Sequence, residues 1–195
     1  MCKLIYGVGI NDSDYPIRRS KHIDGKLVYS WVCPYYQTWL NMLSRCYGTN
    51  KNVYTPSYSG VSVCEEWLKF SEFKSWMEKQ EWEGKELDKD LFGDGLLYKS
   101  ENCCFISKQM NLLVSSFRHS SGVSRYKDGK RWRAYYYDPV SKKQVGLGLY
   151  ESFEDAAKIS QSTRVDVYKK KVLDNINDPD WVKERFLKKM LKTND

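Results

Sequence analysis

Histidine is nearly absent from this chain: His22 and His119 are the two among 195 residues. Each falls in a polar stretch that reads as a surface loop, so chemistry built on clustered imidazoles has little to draw on. The six cysteines form no Cys-x-x-Cys pair, which removes the usual spacing of a zinc finger. No apolar run approaches the roughly 20 residues that span a bilayer. The opening "MCKLIYGVGINDSDYP" lacks the apolar stretch and small-residue cleavage site of a signal peptide. The expectation is an intracellular protein with no membrane partner, whose cysteines are thiols rather than a disulfide framework. No aspartate lies between Asp24 and Asp88, so Glu83-Gly84-Lys85 has no upstream acid for a restriction-type nuclease site. Internal repeats and low-complexity tracts are also missing.

Aromatic residues, by contrast, are plentiful at 15%, with 15 Tyr and 7 Trp. Their flat apolar faces and polar tips suit interfaces and base stacking as well as cores. The net charge of +7 is uneven. Residues 1–118 hold 15 basic and 14 acidic side chains, and residues 119–195 hold 17 and 11. The positive excess therefore sits in the C-terminal part, where it reads either as a nucleic-acid footprint or as a solvated basic surface.

Residues 1–30 are polar, and "GVGINDSDYP" and "KHIDGK" read as turns. From Pro34, Tyr35, Trp39, Met42, Leu43 and Cys46 recur at helical spacing, and Gly48 supplies a stop. "TNKNVYTPSYSG" reads as a loop. A short strand and a second amphipathic helix follow through Trp67, Phe70, Phe73, Trp76 and Met77. The segment 86–111 brings a turn at "FGDG" and a helix from about Ser107. "SSFRHSSG" then reads as a linker. After it, "GVSRYKDGKRWRAYYYDPVSKKQVGLGLY" alternates as three short antiparallel strands separated by "KDGK" and "DPVSKK". A helix follows with Ser152 as N-cap and Asp155 in the capping box. A last basic helix opens at "DPDW", with Asp178 as its cap and Pro179 in its first turn.

The fold class expected is α+β, in two domains at residues 1–116 and 117–195 joined near 115–121. The second is a three-stranded antiparallel sheet packed on a helix, plus the C-terminal helix. Alternation along its strands puts Val123, Trp132, Ala134, Tyr136, Val145 and Leu147 on the helix side. The other face carries Ser124, Tyr126, Arg133, Tyr135, Tyr137 and Gln144, ringed by Lys127, Lys130, Arg131, Lys142 and Lys143. Such a face can enter a groove of double-stranded DNA, with cations on phosphates and polar tips on base edges. A sheet of this kind can equally serve as a protein-binding or packing module.

Gly122, Val123, Trp132, Ala134, Asp138, Pro139, Leu147, Gly148, Tyr150, Ala156 and Ala157 resemble the hallmark positions of the APETALA/ethylene-response-factor DNA-binding domain. The family's base-reading arginines and tryptophans are replaced here by Ser124, Tyr126, Tyr137, Gln144 and Gly146, so the resemblance implies a scaffold and not a target sequence.

"ELDKDLFGDGLLYKSENCCFISKQMN" spaces Asp88-Lys89, Asn102 and Asn111 in the rhythm of a small metal-dependent nuclease. With "CPYYQTWLNMLSRCYG", "VCEEW" and "LDKD", nearly the whole chain resembles bacteriophage proteins described as His-Asn-His or homing-endonuclease-like that carry this kind of C-terminal domain. The resemblance implies a ββα-metal (His-Me finger)-like segment, with Asp88 and Asn111 as ligands of Mg²⁺ or Mn²⁺. Asn102 would brace the loop and Lys89 would stand at the position of the general base, in the cytoplasm of an infected bacterium. An ordinary histidine is mostly neutral at pH 7, whereas an ordinary lysine is cationic. Lys89 would serve as a base only if burial or nearby cations lowered its pKa. As a cation it would contact the scissile phosphate or stabilise developing charge, leaving a site that is inactive, depends on another base, or uses Asp90 to position water. The sequence also departs from the pattern at "FGDGLLYKSENC" and at Val61.

Cys46, Cys64 and Cys103 lie at the ends of separate elements and offer a structural zinc site, against the plainer reading of buried thiols. The leading expectation is a phage-encoded DNA-binding protein with metal-dependent phosphodiester cleavage if active. The alternatives are a non-catalytic DNA- or protein-binding regulator, such as an inhibitor of a host defence or DNA-processing system, and a basic structural protein.

Overall fold

In the computed structural model, residues 4–48, 60–119, 122–138 and 141–192 are described. The expected loop at 49–59 and Pro139 lie outside them, as does the side chain of His119. The chain is mixed α+β, with five α-helices and small sheets among the described residues. It divides into two compact units, residues 1–105 and 106–195. The boundary expected at 116/117 falls inside a helix, and the units divide earlier.

In the first unit, strands β1 (Arg18–Ile23) and β2 (Lys26–Val32) form an antiparallel hairpin. Asp24 and Gly25 both take positive φ (50° and 73°), the two-residue turn whose twist matches the strands. Helix α1 (Pro34–Tyr47) starts with Pro34 in its first turn, where the missing N–H costs nothing. Strand β3 (Ser62–Val63), helix α2 (Phe70–Met77), β4 (Glu86–Asp88), β5 (Leu97–Tyr98) and β6 (Cys104–Ile106) follow. β3 pairs with β5 in parallel, and β4 pairs with β6.

The apolar spacing read from the sequence matches what is buried. Trp39, Met42 and Leu43 from α1 meet Phe70, Phe73 and Met77 from α2. Tyr36 and Phe70 meet edge to face at 5.3 Å, and the Trp39 indole donates to the Trp67 carbonyl at 2.7 Å. Each fully buried large side chain here contributes about 2–3 kcal/mol.

The second unit begins with α3 (Lys108–His119), then β7 (Val123–Arg125), β8 (Trp132–Asp138), β9 (Lys143–Tyr150), α4 (Phe153–Val167) and α5 (Asp180–Lys192). β7-β8-β9 is an antiparallel meander. α4 lies on one face, burying Ala156 against Val123 and Ala134. Ser152 caps it as expected: its Oγ accepts from the Asp155 amide at 3.0 Å, while the Asp155 carboxylate accepts from the Ser152 hydroxyl at 2.8 Å. The Arg164 guanidinium, although buried, lies 4.4 Å over the Phe117 ring and donates to the Ser116 carbonyl at 3.1 Å. Those contacts hold the end of α3 within this unit.

One expectation is overturned here. Asp178 does not cap α5; its Oδ1 accepts from the Ser107 amide at 2.9 Å, at the start of α3. At α5 the Pro179 carbonyl accepts from the Val182 amide at 3.0 Å. The fold spends the aspartate on a partner 71 residues away, which local capping rules do not anticipate.

Candidate nucleic-acid interface

The Asp88–Asp90 segment follows β4 and turns inward. Asp88 is 3% exposed and Lys89 is 2% exposed, unusual values for charged residues. One carboxylate oxygen of Asp88 accepts from the amides of Asp90 (2.9 Å) and Leu91 (2.7 Å), closing the turn that leaves β4. Burial pushes the Asp88 carboxyl up to about 6, reinforced by the Asp90 charge and opposed by the two amides and Lys89. The Lys89 ammonium lies 2.8 Å from an Asp90 carboxylate oxygen and 5.6 Å from the centre of the Tyr98 ring. It is turned into the protein, the reverse of the outward cation expected at a scissile phosphate.

Asn102 makes a local contact. Its amide donates to the Leu97 carbonyl at 3.3 Å, and a Cβ on Gly93 would come within 3.1 Å of it. It thus touches both β5 and the turn that precedes it. Asp88 belongs to the first unit and Asn111, in the first turn of α3, to the second. Around Asp88, the donor set does not fit a divalent cation: one carboxylate oxygen is engaged by two amides, and a buried ammonium already supplies the positive charge. No group of three or more His, Cys, Asp or Glu that could hold a metal occurs among the described residues. Cys46, Cys64 and Cys103 are free thiols. Burial raises all three, Cys46 to about 11 and Cys103 to about 12.

The β7–β9 sheet is built the opposite way. Ser124 pairs with Arg133, Tyr135 with Gly146, and Tyr137 with Gln144, so these side chains share the face away from α4. Ser124, Arg133, Tyr137 and Gln144 are exposed, while Tyr126 and Tyr135 are half-buried. The Arg133 guanidinium lies across Gly146, where a Cβ would come within 3.6 Å of it. Leu147 sits in a β-bulge opposite Ala134 and Tyr135. The extra residue keeps Leu147 and Tyr150 on the core side and turns Leu149 outward, opposite Arg133. Simple alternation from Val145 would have put Leu149 inside.

The rim is not uniform. Lys130, Lys142 and Lys143 are exposed. Arg131 is tied to Asp128 at 2.7 Å and lies 5.5 Å from the centre of the Tyr126 ring. Asp128 also accepts from the amides of Lys130 and Arg131. The Arg131 and Lys130 amides and the Arg131 guanidinium hold its carboxyl down to about 2. Asp128 thus organises the β7–β8 turn and offsets one of the charges counted toward a phosphate rim.

No family model, curated protein or solved structure matches this chain.

Beneath the face, three groups meet at Tyr135. Its amide donates to the Gly122 carbonyl at 2.8 Å, and its carbonyl accepts from the Ser160 hydroxyl of α4 at 2.8 Å. Gly122 has φ +69°, and a Cβ there would overlap Ser160 and approach the Tyr135 carbonyl to 2.6 Å. Only glycine satisfies both demands. The Tyr168 hydroxyl donates to the Tyr137 carbonyl at 3.2 Å from the same side. The outward tyrosines therefore extend from a backbone fixed from behind.

The sequence did not reveal the β1–β2 hairpin, whose residues are exposed along nearly its full length. The legible signal was Asp24-Gly25 between "RRSKHI" and "KLVYSWV".

Proposed function

We propose that this chain is a double-stranded-DNA-binding protein that engages DNA through the outward face of β7–β9. The observation that carries this reading is the face itself. Arg133, Tyr137 and Gln144 are exposed on paired strand positions, beside the exposed Lys130, Lys142 and Lys143, with the opposite face committed to α4. Cations of this kind take phosphate, and the arginine and glutamine tips suit guanine and adenine edges in the major groove. The resemblance to the APETALA/ethylene-response-factor domain supports the same use of the sheet, and the resemblance to phage nuclease-like proteins supports DNA as the partner.

Cleavage is a second reading, supported by the Asp88, Asn102 and Asn111 spacing and by the contact of Asn102 with Leu97 and Gly93 beside the Asp88 turn. The buried Lys89–Asp90 pair weighs against it, and no step through a metal is derived. Two measurements test the pair of readings. Gel shifts with random-sequence duplex DNA should show binding that falls steeply with salt and weakens in Arg133→Ala. No shift at low salt would remove the proposal. Plasmid incubated with Mg²⁺ or Mn²⁺ should stay intact; nicking that Asp88→Ala abolishes would restore the nuclease reading.

A further inference from the structure

The β1–β2 hairpin has two different faces. Cross-strand pairing places Arg19 with Trp31, Lys21 with Val28, and Ile23 with Lys26 on one of them. Arg18, Ser20, His22, Leu27 and Tyr29 lie on the other, where the Arg18 guanidinium is 5.3 Å from the Tyr29 ring centre and 5.6 Å from that of the buried Tyr36 in α1. Both faces are open, with Leu27 53% and Tyr29 51% exposed on this one, but Arg18 ties this face to the buried Tyr36. The first face differs in composition: it carries Arg19, Lys21 and Lys26 beside Ile23 (43% exposed), Val28 (40%) and Trp31 (41%), with the Arg19 guanidinium 5.6 Å from the Trp31 ring centre. Among the described residues, no carboxylate pairs with Arg19, Lys21 or Lys26.

We infer that the Arg19–Lys21–Lys26–Trp31 face of this hairpin is a second DNA-binding element, a β-ribbon that enters the major groove. A two-stranded ribbon fits that groove, which is about 12 Å wide. At about 3.3 Å per residue the strands run roughly 20 Å, enough to cross it. The three cations, against the single acid Asp24 in the turn, complement phosphates on the groove walls. Trp31, Val28 and Ile23 between them offer apolar surface to thymine methyls and sugar edges. The same charges disfavour a second copy of the ribbon, because edge lysines and arginines repel a like-charged strand. The inference stands on residues of the first unit and does not use the β7–β9 sheet.

The test uses the full chain, labelled random-sequence duplex DNA and a salt titration. The triple variant Arg19→Gln/Lys21→Gln/Lys26→Gln should lower the slope of log K against log salt by about 2 to 3, since each phosphate contact contributes about 0.9. Lys26→Gln alone, beside the turn, should lower it by about 0.9 and keeps the test valid if the triple variant fails to unfold cooperatively in urea. An unchanged slope in a folded variant overturns the inference. So does a wild-type dimer that the triple variant converts to monomer with unchanged DNA affinity. If Arg133→Ala weakens binding and the hairpin variants do not, this inference fails alone. If only the hairpin variants weaken it, the inference stands and the β7–β9 reading fails.

Discussion

Lys89 and Arg133 are both cations on or beside short strands, yet the two regions use charge in opposite ways. Lys89 is enclosed, with a carboxylate at 2.8 Å and an aromatic ring beneath it. Arg133 is exposed on a sheet whose other face is packed. A buried, matched charge costs desolvation and fixes local geometry. An exposed charge on a rigid face costs little until a polyanion arrives and displaces its counterions. The same residue chemistry is internal architecture at Lys89 and an open, solvated face at Arg133.

The sharpest way to break that contrast is to loosen the support under the exposed face. Gly122→Ala forces a Cβ into Ser160 at a left-handed backbone position and should destabilise the second unit by about 4 kcal/mol. Urea unfolding followed by fluorescence would read the loss, and DNA affinity should fall with it. Next in size is Lys89→Ala. Deleting this enclosed side chain leaves a void in the core and takes one cation from the half-buried Asp90. The loss should cost about 3 kcal/mol of stability while DNA affinity of the folded protein stays unchanged. A loss of DNA affinity without a loss of stability would mean that Lys89 belongs to the binding surface after all.

Asp88 sharpens the contrast through pH. Its carboxyl is raised from 3.8 to about 6 by burial, so between those values the folded chain holds a proton that the unfolded chain has released. Stability must then fall as pH rises from about 4 to 6, by about 2 to 3 kcal/mol from this group. Asp88→Asn keeps an acceptor for the two amides and should remove that slope, measured by urea midpoints from pH 4 to 7. The smallest effect is expected at Arg133→Ala: about 1 to 2 kcal/mol in DNA affinity, with stability within about 0.5 kcal/mol of wild type.

Much of the second unit was legible because its signals are local. Alternation in "WRAYYY", the "KDGK" turn and the Ser152–Asp155 box each lie within a few residues of their consequence. The aromatic spacing of α1 and α2 was equally direct. The hairpin was missed because strands exposed on both faces carry no apolar alternation; only Asp24-Gly25 marked it. The bulge at Leu147, which shifts the pattern by one residue and turns Leu149 outward, left no mark in the sequence alternation. Asp178 and Lys89 illustrate a different limit. Spacing placed both near plausible roles, but a distant amide took the first and the core enclosed the second.

The meeting of strand, loop and helix at Tyr135 has a consequence in time as well as in shape. Its amide is on the middle strand and bonded to Gly122, and its carbonyl is held by a helix hydroxyl. Exchange of that amide with deuterium should therefore require the whole sheet–helix unit to open, making it one of the slowest clocks in the chain. A surface resting on such a slow centre loses little freedom when it docks, because the ordering was completed during folding.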